Sequence, residues 1–219
     1  MSSSTIAILG NGNVGTALAK GFVARGDRVV FGSRDTGGEK TRAALAAVPG
    51  STAASLVDAA KQADSAVIAL PWAALKAALT PALADALAGK TVIDAVNPVD
   101  FSSGQPALAL GFADSAGETV QRLLPQSKVV KAFNIITATH MVQPTLADGE
   151  PDMFIAGNDA GAKAEVAAIL RSFGWRSAID LGGIEQARLL EPLAMIWIRY
   201  GFGNNHWTHG FSLLNRKLG

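Results

Sequence analysis

The apolar run Ile6-Ala7-Ile8-Leu9 passes directly into Gly10-Asn11-Gly12-Asn13-Val14-Gly15, and no other junction constrains the chain as tightly. An apolar run closed by Gly-x-Gly-x-x-Gly reads as a buried strand, a tight turn and the start of a helix. Gly10 makes the turn, Gly12 admits a pyrophosphate close to the backbone, and Gly15 lets the helix pack on the strand. A dinucleotide pyrophosphate would then meet unpaired N–H groups at the positive end of the helix dipole. Three glycines alone are weak evidence. Here a second strand, Arg28 to Phe31, follows where a βαβ nucleotide site requires one.

The end of that second strand discriminates between nucleotides. An acidic residue there accepts hydrogen bonds from the ribose 2′-OH of NAD. This chain carries Ser33 and Arg34 instead, with Lys40 a little beyond. A carboxylate would repel a 2′-phosphate, whereas a guanidinium binds it through charge-assisted, forked hydrogen bonds. The pattern favours NADP over NAD. Asp35 is the neighbouring carboxylate that could turn toward the ribose instead.

Strand and helix patterns then alternate along the chain. Gly37 to Ala47 reads as a helix, Ser51 to Ala54 as a short strand, and Ala66 to Leu70 as a buried strand closed by Pro71-Trp72. Ala73 to Leu87 is helical with a break or kink at Pro81, because proline lacks the N–H and clashes with the preceding turn. Thr91 to Asp94 is a strand and Asn97 to Gly111 a loop. Ser115-x-x-Glu118 is a capping box opening a helix through Leu124. Lys128 to Phe133, Met153 to Ala156 and Ser177 to Leu181 complete the strands, with an amphipathic helix over Ala160 to Phe173. Gly182-Gly183 introduces a long apolar helix, about Glu185 to Tyr200. The expected fold class is α/β: a Rossmann-type, doubly wound parallel sheet over 1–180, with a small C-terminal helical extension over 181–219.

Composition sets the outer bounds. A formal charge of +1 gives no argument for nucleic acid or an anionic membrane surface. The absence of cysteine excludes disulfides, thiolate metal sites and a cysteine nucleophile. Met1-Ser2-Ser3-Ser4-Thr5 has no positive n-region, and no apolar run approaches the roughly 20 residues of a bilayer span. A soluble, cytoplasmic protein is expected.

In an open parallel sheet the ligand lies beyond the carboxyl ends of the strands. That selects the loops at Leu70-Pro71-Trp72, Val96-Asn97-Pro98 and Asn134 to Ala138. Trp72 could flank a ring or pack in the core. Asn97 and Asn134 offer amide groups suited to a carboxamide, ribose or ring edge, or else satisfy local backbone. His206-x-x-His209 lies between Gly203 and Gly210, which argue against a regular metal-holding helix, so no metal is expected. His140 is the one candidate proton donor near these loops, and no catalytic acid or base is assigned. A dinucleotide site without one suits hydride exchange between two ring cofactors, where catalysis is chiefly orientation.

Seven motifs resemble the coenzyme F420-dependent NADP reductases and their bacterial relatives. They are the glycine motif, Val30-Phe31-Gly32-Ser33-Arg34, Leu70-Pro71-Trp72, Ser115-Ala116-Gly117-Glu118, Val129-Val130-Lys131-Ala132-Phe133-Asn134, Gly157-Asn158-Asp159 and Ala187-Arg188-x-Leu190-Glu191-Pro192-Leu193. The resemblance implies that Asn11 to Val14 hold the pyrophosphate and Ser33 and Arg34 the 2′-phosphate. Leu70, Ala74, Asn97 and Ala138 would line the nicotinamide half, with Pro71 beside them. The deazaflavin F420 would stack near Asn134, Ile135 and the C-terminal helix. Phe133-Asn134 also resembles the NADPH domains of flavin-using metalloreductases, so FMN or FAD remains an alternative acceptor. A small imine or keto acid, or a non-enzymatic NADP sensor, are further alternatives. The resemblance also implies a homo-oligomer, such as a dimer through Leu193 to Trp197. Lys128, Lys131, Arg188 and Arg199 are candidates for a basic surface toward the anionic tail of F420.

Overall fold

The computed structural model describes residues 3–215. Met1 and Ser2 of the N-terminal stretch, and 216–219 of the expected C-terminal segment, lie outside the described residues. The chain begins β1 (Thr5–Leu9), α1 (Asn13–Ala24), β2 (Arg28–Gly32), α2 (Glu39–Ala47), β3 (Thr52–Ala54), α3 (Leu56–Gln62) and β4 (Ser65–Ile68). It continues α4 (Trp72–Ala78), α5 (Pro81–Leu87), β5 (Thr91–Asp94), β6 (Val99–Asp100), β7 (Ala107–Leu108), α6 (Ala116–Leu123) and β8 (Lys128–Lys131). β9 (Met153–Gly157), α7 (Ala160–Ser172), β10 (Ala178–Asp180) and α8 (Ala187–Asn204) follow.

Eight strands form one sheet in the order β3-β2-β1-β4-β5-β8-β9-β10. β1 pairs in parallel with β2 on one side and β4 on the other, so the strand order reverses beside β1 and leaves a crevice at their carboxyl ends. The alternation of side chains divides β1 between two cores. Ile6 and Ile8 pack with Leu18, Phe22 and Phe173, whereas Ala7 and Leu9 pack with Leu75, Leu83 and Val120 on the opposite face. Burial on both faces is why the strands read as unbroken apolar runs.

Pro81 divides the Ala/Leu-rich segment into α4 and α5. It stands at the first position of α5, where its missing N–H costs nothing, and the Thr80 hydroxyl caps that helix by accepting from Leu83 N at 3.3 Å. Ser115 caps α6 through the Glu118 N–H at 3.1 Å, as the motif predicts. The Glu118 carboxylate is shared with a second helix: Arg188 of α8 grips it at 2.5 and 2.8 Å and holds its carboxyl below the usual range.

Two features differ from the sequence expectation. The sheet is not wholly parallel, since β9 runs antiparallel to β8 and β10 runs parallel to β9. β8 stops at Lys131, Phe133 takes φ +62°, and a 3₁₀ turn over Ala138–His140 leads back without a crossover helix. A chain that stays at one end of a sheet re-enters as an antiparallel neighbour. The expected loop at Asn97 to Gly111 also contains a hairpin, with Val99 opposite Leu108.

The C-terminal segment is fastened at both ends of α8. Beyond α8 the chain folds back, so that Trp197 Nε1 donates to His209 O at 2.9 Å and Asp152 N to Phe211 O at 2.7 Å. At the other end of α8, Glu191 meets a fully buried ionic cluster. Lys131 Nζ lies 3.0 Å from Asp94 Oδ2 and 2.8 Å from Glu191 Oε1, and also donates to the Val96 carbonyl. Glu191 in turn accepts from Ala116 N and Gly117 N, both at 2.9 Å, at the start of α6. Burial alone would lower the Lys131 pKa, but the Asp94 and Glu191 charges reverse this and hold it above the ordinary value. Lys131 therefore does not belong to a basic surface. Its raised pKa makes its contribution complete below about pH 10 and lost as pH rises through the folded value. Lys131→Met, which leaves two buried carboxylates facing each other, should lower stability by about 3–5 kcal/mol in urea unfolding.

Candidate functional site

A crevice of about 690 Å³ opens at the carboxyl ends of β1, β2, β4 and β5. Gly10, Asn11, Gly12, Asn13, Val14, Ser33, Arg34, Lys40, Leu70, Pro71, Ala74 and Asn97 all line it. The glycines behave differently from one another. Gly10 has φ +120°, and a Cβ there would strike the Ala69 carbonyl. Gly15 is buried behind the crevice, where a Cβ would strike the Gly10 carbonyl oxygen. A Cβ on Gly12 would meet nothing within 4 Å, so the folded chain gives no packing reason for glycine there. That open position fits a group approaching from the crevice.

α1 begins at this point with no side-chain cap and no acidic residue in its first turn. Its first N–H groups have no intrahelical partner and face an anion-favouring field. At the end of β2, Arg34 and Lys40 are exposed, and among the described residues neither joins an ion pair. Asp35 is turned into its own loop: its Oδ1 accepts from Gly37 N at 3.2 Å and its carboxylate lies over Gly38. The crevice thus combines a helix N-terminus with two unpaired cations, a donor set suited to a phosphorylated dinucleotide.

One residue here escapes the sequence reading. Thr41 of α2 is buried, and its hydroxyl accepts from Asn11 Nδ2 at 2.8 Å and lies 3.0 Å from Ser33 Oγ. It joins the glycine turn to the end of β2. A lone threonine in a polar helix gives no periodic signal, and its partners lie 30 and eight positions away.

The other half of the crevice is formed by Leu70, Pro71, Trp72, Ala74 and Asn97. Trp72 serves both readings, being half-buried against the second core and also lining the crevice. Asn97 Nδ2 donates to Asn134 O at 2.7 Å, and Asn134 Nδ2 donates to Asn97 Oδ1 at 3.1 Å and to Leu190 O at 3.0 Å. Each asparagine therefore fixes the other. Asn134, Ile135 and Ala138 do not line the crevice: Asn134 is buried behind Asn97, Ile135 is a core residue, and Ala138 opens the half-buried 3₁₀ turn. The four candidate basic residues do not converge, as Lys131 is buried, Arg188 is held by Glu118, Lys128 lies 3.7 Å from Asp159, and Arg199 reaches Gln105 at 3.4 Å. His206 and His209 stack beside Tyr200, and no group of three potential ligands for a metal ion occurs among the described residues. Nor does any described helix have the length and apolarity to cross a membrane.

By its relatives the chain is an NADP-dependent oxidoreductase. Residues 5–98 match a family model described as NADP oxidoreductase, coenzyme F420-dependent. The F420-dependent NADP reductase of Methanothermobacter marburgensis is 30% identical over 226 residues, covering 96% of this chain and 98% of that protein. A solved structure from Arthrobacter sp. FB24, titled as a candidate F420-dependent NADP reductase, is 38% identical with a TM-score of 0.91, covering 97% of this chain and 100% of that one. The metalloreductase STEAP3 of Rattus norvegicus is 30% identical over 190 residues, covering 87% of this chain but 36% of that protein. The chain belongs to the coenzyme F420-dependent NADP reductase family.

The glycine geometry separates fold from site. Gly15→Ala should lower the melting temperature by several degrees or prevent folding, whereas Gly12→Ala should melt within about two degrees of the parent protein in calorimetry.

Proposed function

We propose that the protein transfers hydride between NADPH and the deazaflavin F420, and that the crevice is the NADP site. The observation that carries this reading is the unpaired Arg34–Lys40 cation pair beside a glycine turn whose Gly12 faces open space. The names of the full-length archaeal relatives supply the acceptor.

The roles follow from placement. Backbone N–H groups at Asn13 and Val14 bind the pyrophosphate, with Asn11 bracing the turn. Ser33, Arg34 and Lys40 hold the 2′-phosphate. Leu70, Pro71, Ala74 and Asn97 exclude water from the nicotinamide half and fix its plane. The reduced nicotinamide, when bound, supplies the hydride. Among the described residues no histidine lines the crevice, and its Asp35, Glu39 and Lys40 cluster with Arg34 at the 2′-phosphate end. A ring acceptor delocalises charge and needs no proton donor poised at the reacting atom, so orientation carries the catalysis. Asn134 acts from behind Asn97, Ala138 borders the nicotinamide half from the 3₁₀ turn, and the segment from residue 181 closes the acceptor side. The likeness to a metalloreductase favours FMN or FAD as the second acceptor reading. The cytoplasm is the proposed location.

The proposed assembly is a homodimer through α8. Ala194 and Trp197 of the expected interface run are buried, but Leu189, Ile196 and Tyr200 share one face of α8 and are 62%, 60% and 51% exposed. Ile196→Glu should convert a dimer to a monomer in light scattering. An already monomeric parent protein would exclude this arrangement.

The test of function is a turnover screen of NADPH against F420, FMN, FAD and riboflavin, read by absorbance. F420 should be reduced without any other substrate, and Arg34→Ala should raise the NADPH KM roughly tenfold or more with kcat little changed. Preferential flavin turnover would favour the second reading, and NADPH binding without turnover would favour a sensor.

A further inference from the structure

We infer that Thr41 is a positioning residue for nucleotide choice: its hydroxyl keeps the Asp35 carbonyl partnered when Ser33 turns its hydrogen from that carbonyl to a 2′-phosphate. The inference rests on the NADP reading of the crevice.

A serine or threonine hydroxyl carries one hydrogen and two acceptor positions. Thr41 Oγ1 donates to Asp35 O at 2.6 Å and accepts from Asn11 Nδ2 at 2.8 Å. Ser33 Oγ accepts the Asp35 N–H at 3.2 Å. Its single hydrogen has two protein acceptors within reach, Asp35 O and Thr41 Oγ1, both at 3.0 Å. Ser33 and Thr41 both line the crevice, but Thr41 is only 1% exposed, so its hydroxyl acts there chiefly through Ser33. A phosphate dianion can only accept, so Ser33 must give up its hydrogen to bind one. The shorter Thr41 bond leaves the Asp35 carbonyl partnered when Ser33 turns outward, which lowers the cost of that turn. With valine at position 41, Ser33 becomes the remaining side-chain donor to that carbonyl, and its hydrogen turns inward. Asn11 loses its short acceptor as well and keeps only the 3.5 Å contact with Ser33 Oγ.

This arrangement acts on the phosphorylated nucleotide through Ser33. Calorimetric titration with NADP⁺ and NAD⁺ tests it without any acceptor or turnover. Thr41→Val should weaken NADP⁺ about tenfold and NAD⁺ by no more than about threefold. Thr41→Ser should restore parental affinity. Ser33→Ala should show the same loss as Thr41→Val, and the double variant should lose nothing further, since both changes remove one bond. Circular dichroism melts establish that each variant is folded. Thr41→Ala serves if the valine variant is not.

Equal weakening of both nucleotides by Thr41→Val would overturn the inference, as would losses that multiply in the double variant or a serine variant no better than valine. Arg34→Ala separates this from failure of the underlying reading. If Arg34→Ala removes the NADP⁺ preference and Thr41→Val does not, only the role of Thr41 falls. If the parent protein does not distinguish the two nucleotides, both fall.

Discussion

Everything at the site depends on the contact between the first turn of α1 and the end of β1. The helix approaches so closely that the backbone at Gly15 leaves no room for a Cβ against the Gly10 carbonyl. That approach fixes where α1 starts and aims its unpaired N–H groups past the end of the sheet. A helix terminus contributes only about 0.3–1 kcal/mol toward a charge in exposed settings, so it cannot select a ligand alone. Selection requires the ends of β2, β4 and β5 to converge on the same space. The parallel pairing of these strands with β1 and each other brings Ser33, Leu70 and Asn97 there.

A second set of buried polar links joins the crevice to the C-terminal helix. The consecutive residues Leu190 and Glu191 each reach the strand-end region, one through Asn134 to Asn97 and the other through Lys131 to Asp94 and the Val96 carbonyl. Both paths end on residues that line the crevice, Val96 and Asn97. A shift of α8 would therefore strain a buried ion pair and a reciprocal amide pair together. Such links give a wall its position more than they give the fold its stability, because desolvation offsets much of the Coulomb gain.

Much of the fold was legible because burial and chain breaks leave local marks. The glycine spacing, the apolar strands and the Pro81 break each follow from neighbours within a few residues. Strand direction leaves no such mark. Met153 to Gly157 would be equally apolar in either orientation, and only the connection after Phe133 decides it. The hairpin strands at Val99 and Ala107 are two residues long and too short for any period. Lys131 interrupts an apolar strand and resembles a solvent-facing cation, but its carboxylates arrive from Asp94 and Glu191, far along the chain. At the site, the crevice-lining residues follow from motif and strand ends. Ile135, which the family resemblance placed beside the acceptor, fills the core, because the turn after Phe133 carries it inward.

A crystal structure of the protein with NADP⁺ tests the central claim most directly. The pyrophosphate should lie within hydrogen-bond reach of the α1 N-terminus, the 2′-phosphate against Ser33 and Arg34, and the nicotinamide beside Asn97. A nucleotide found elsewhere on the molecule, or one whose 2′-phosphate points into solvent away from Arg34, would contradict it.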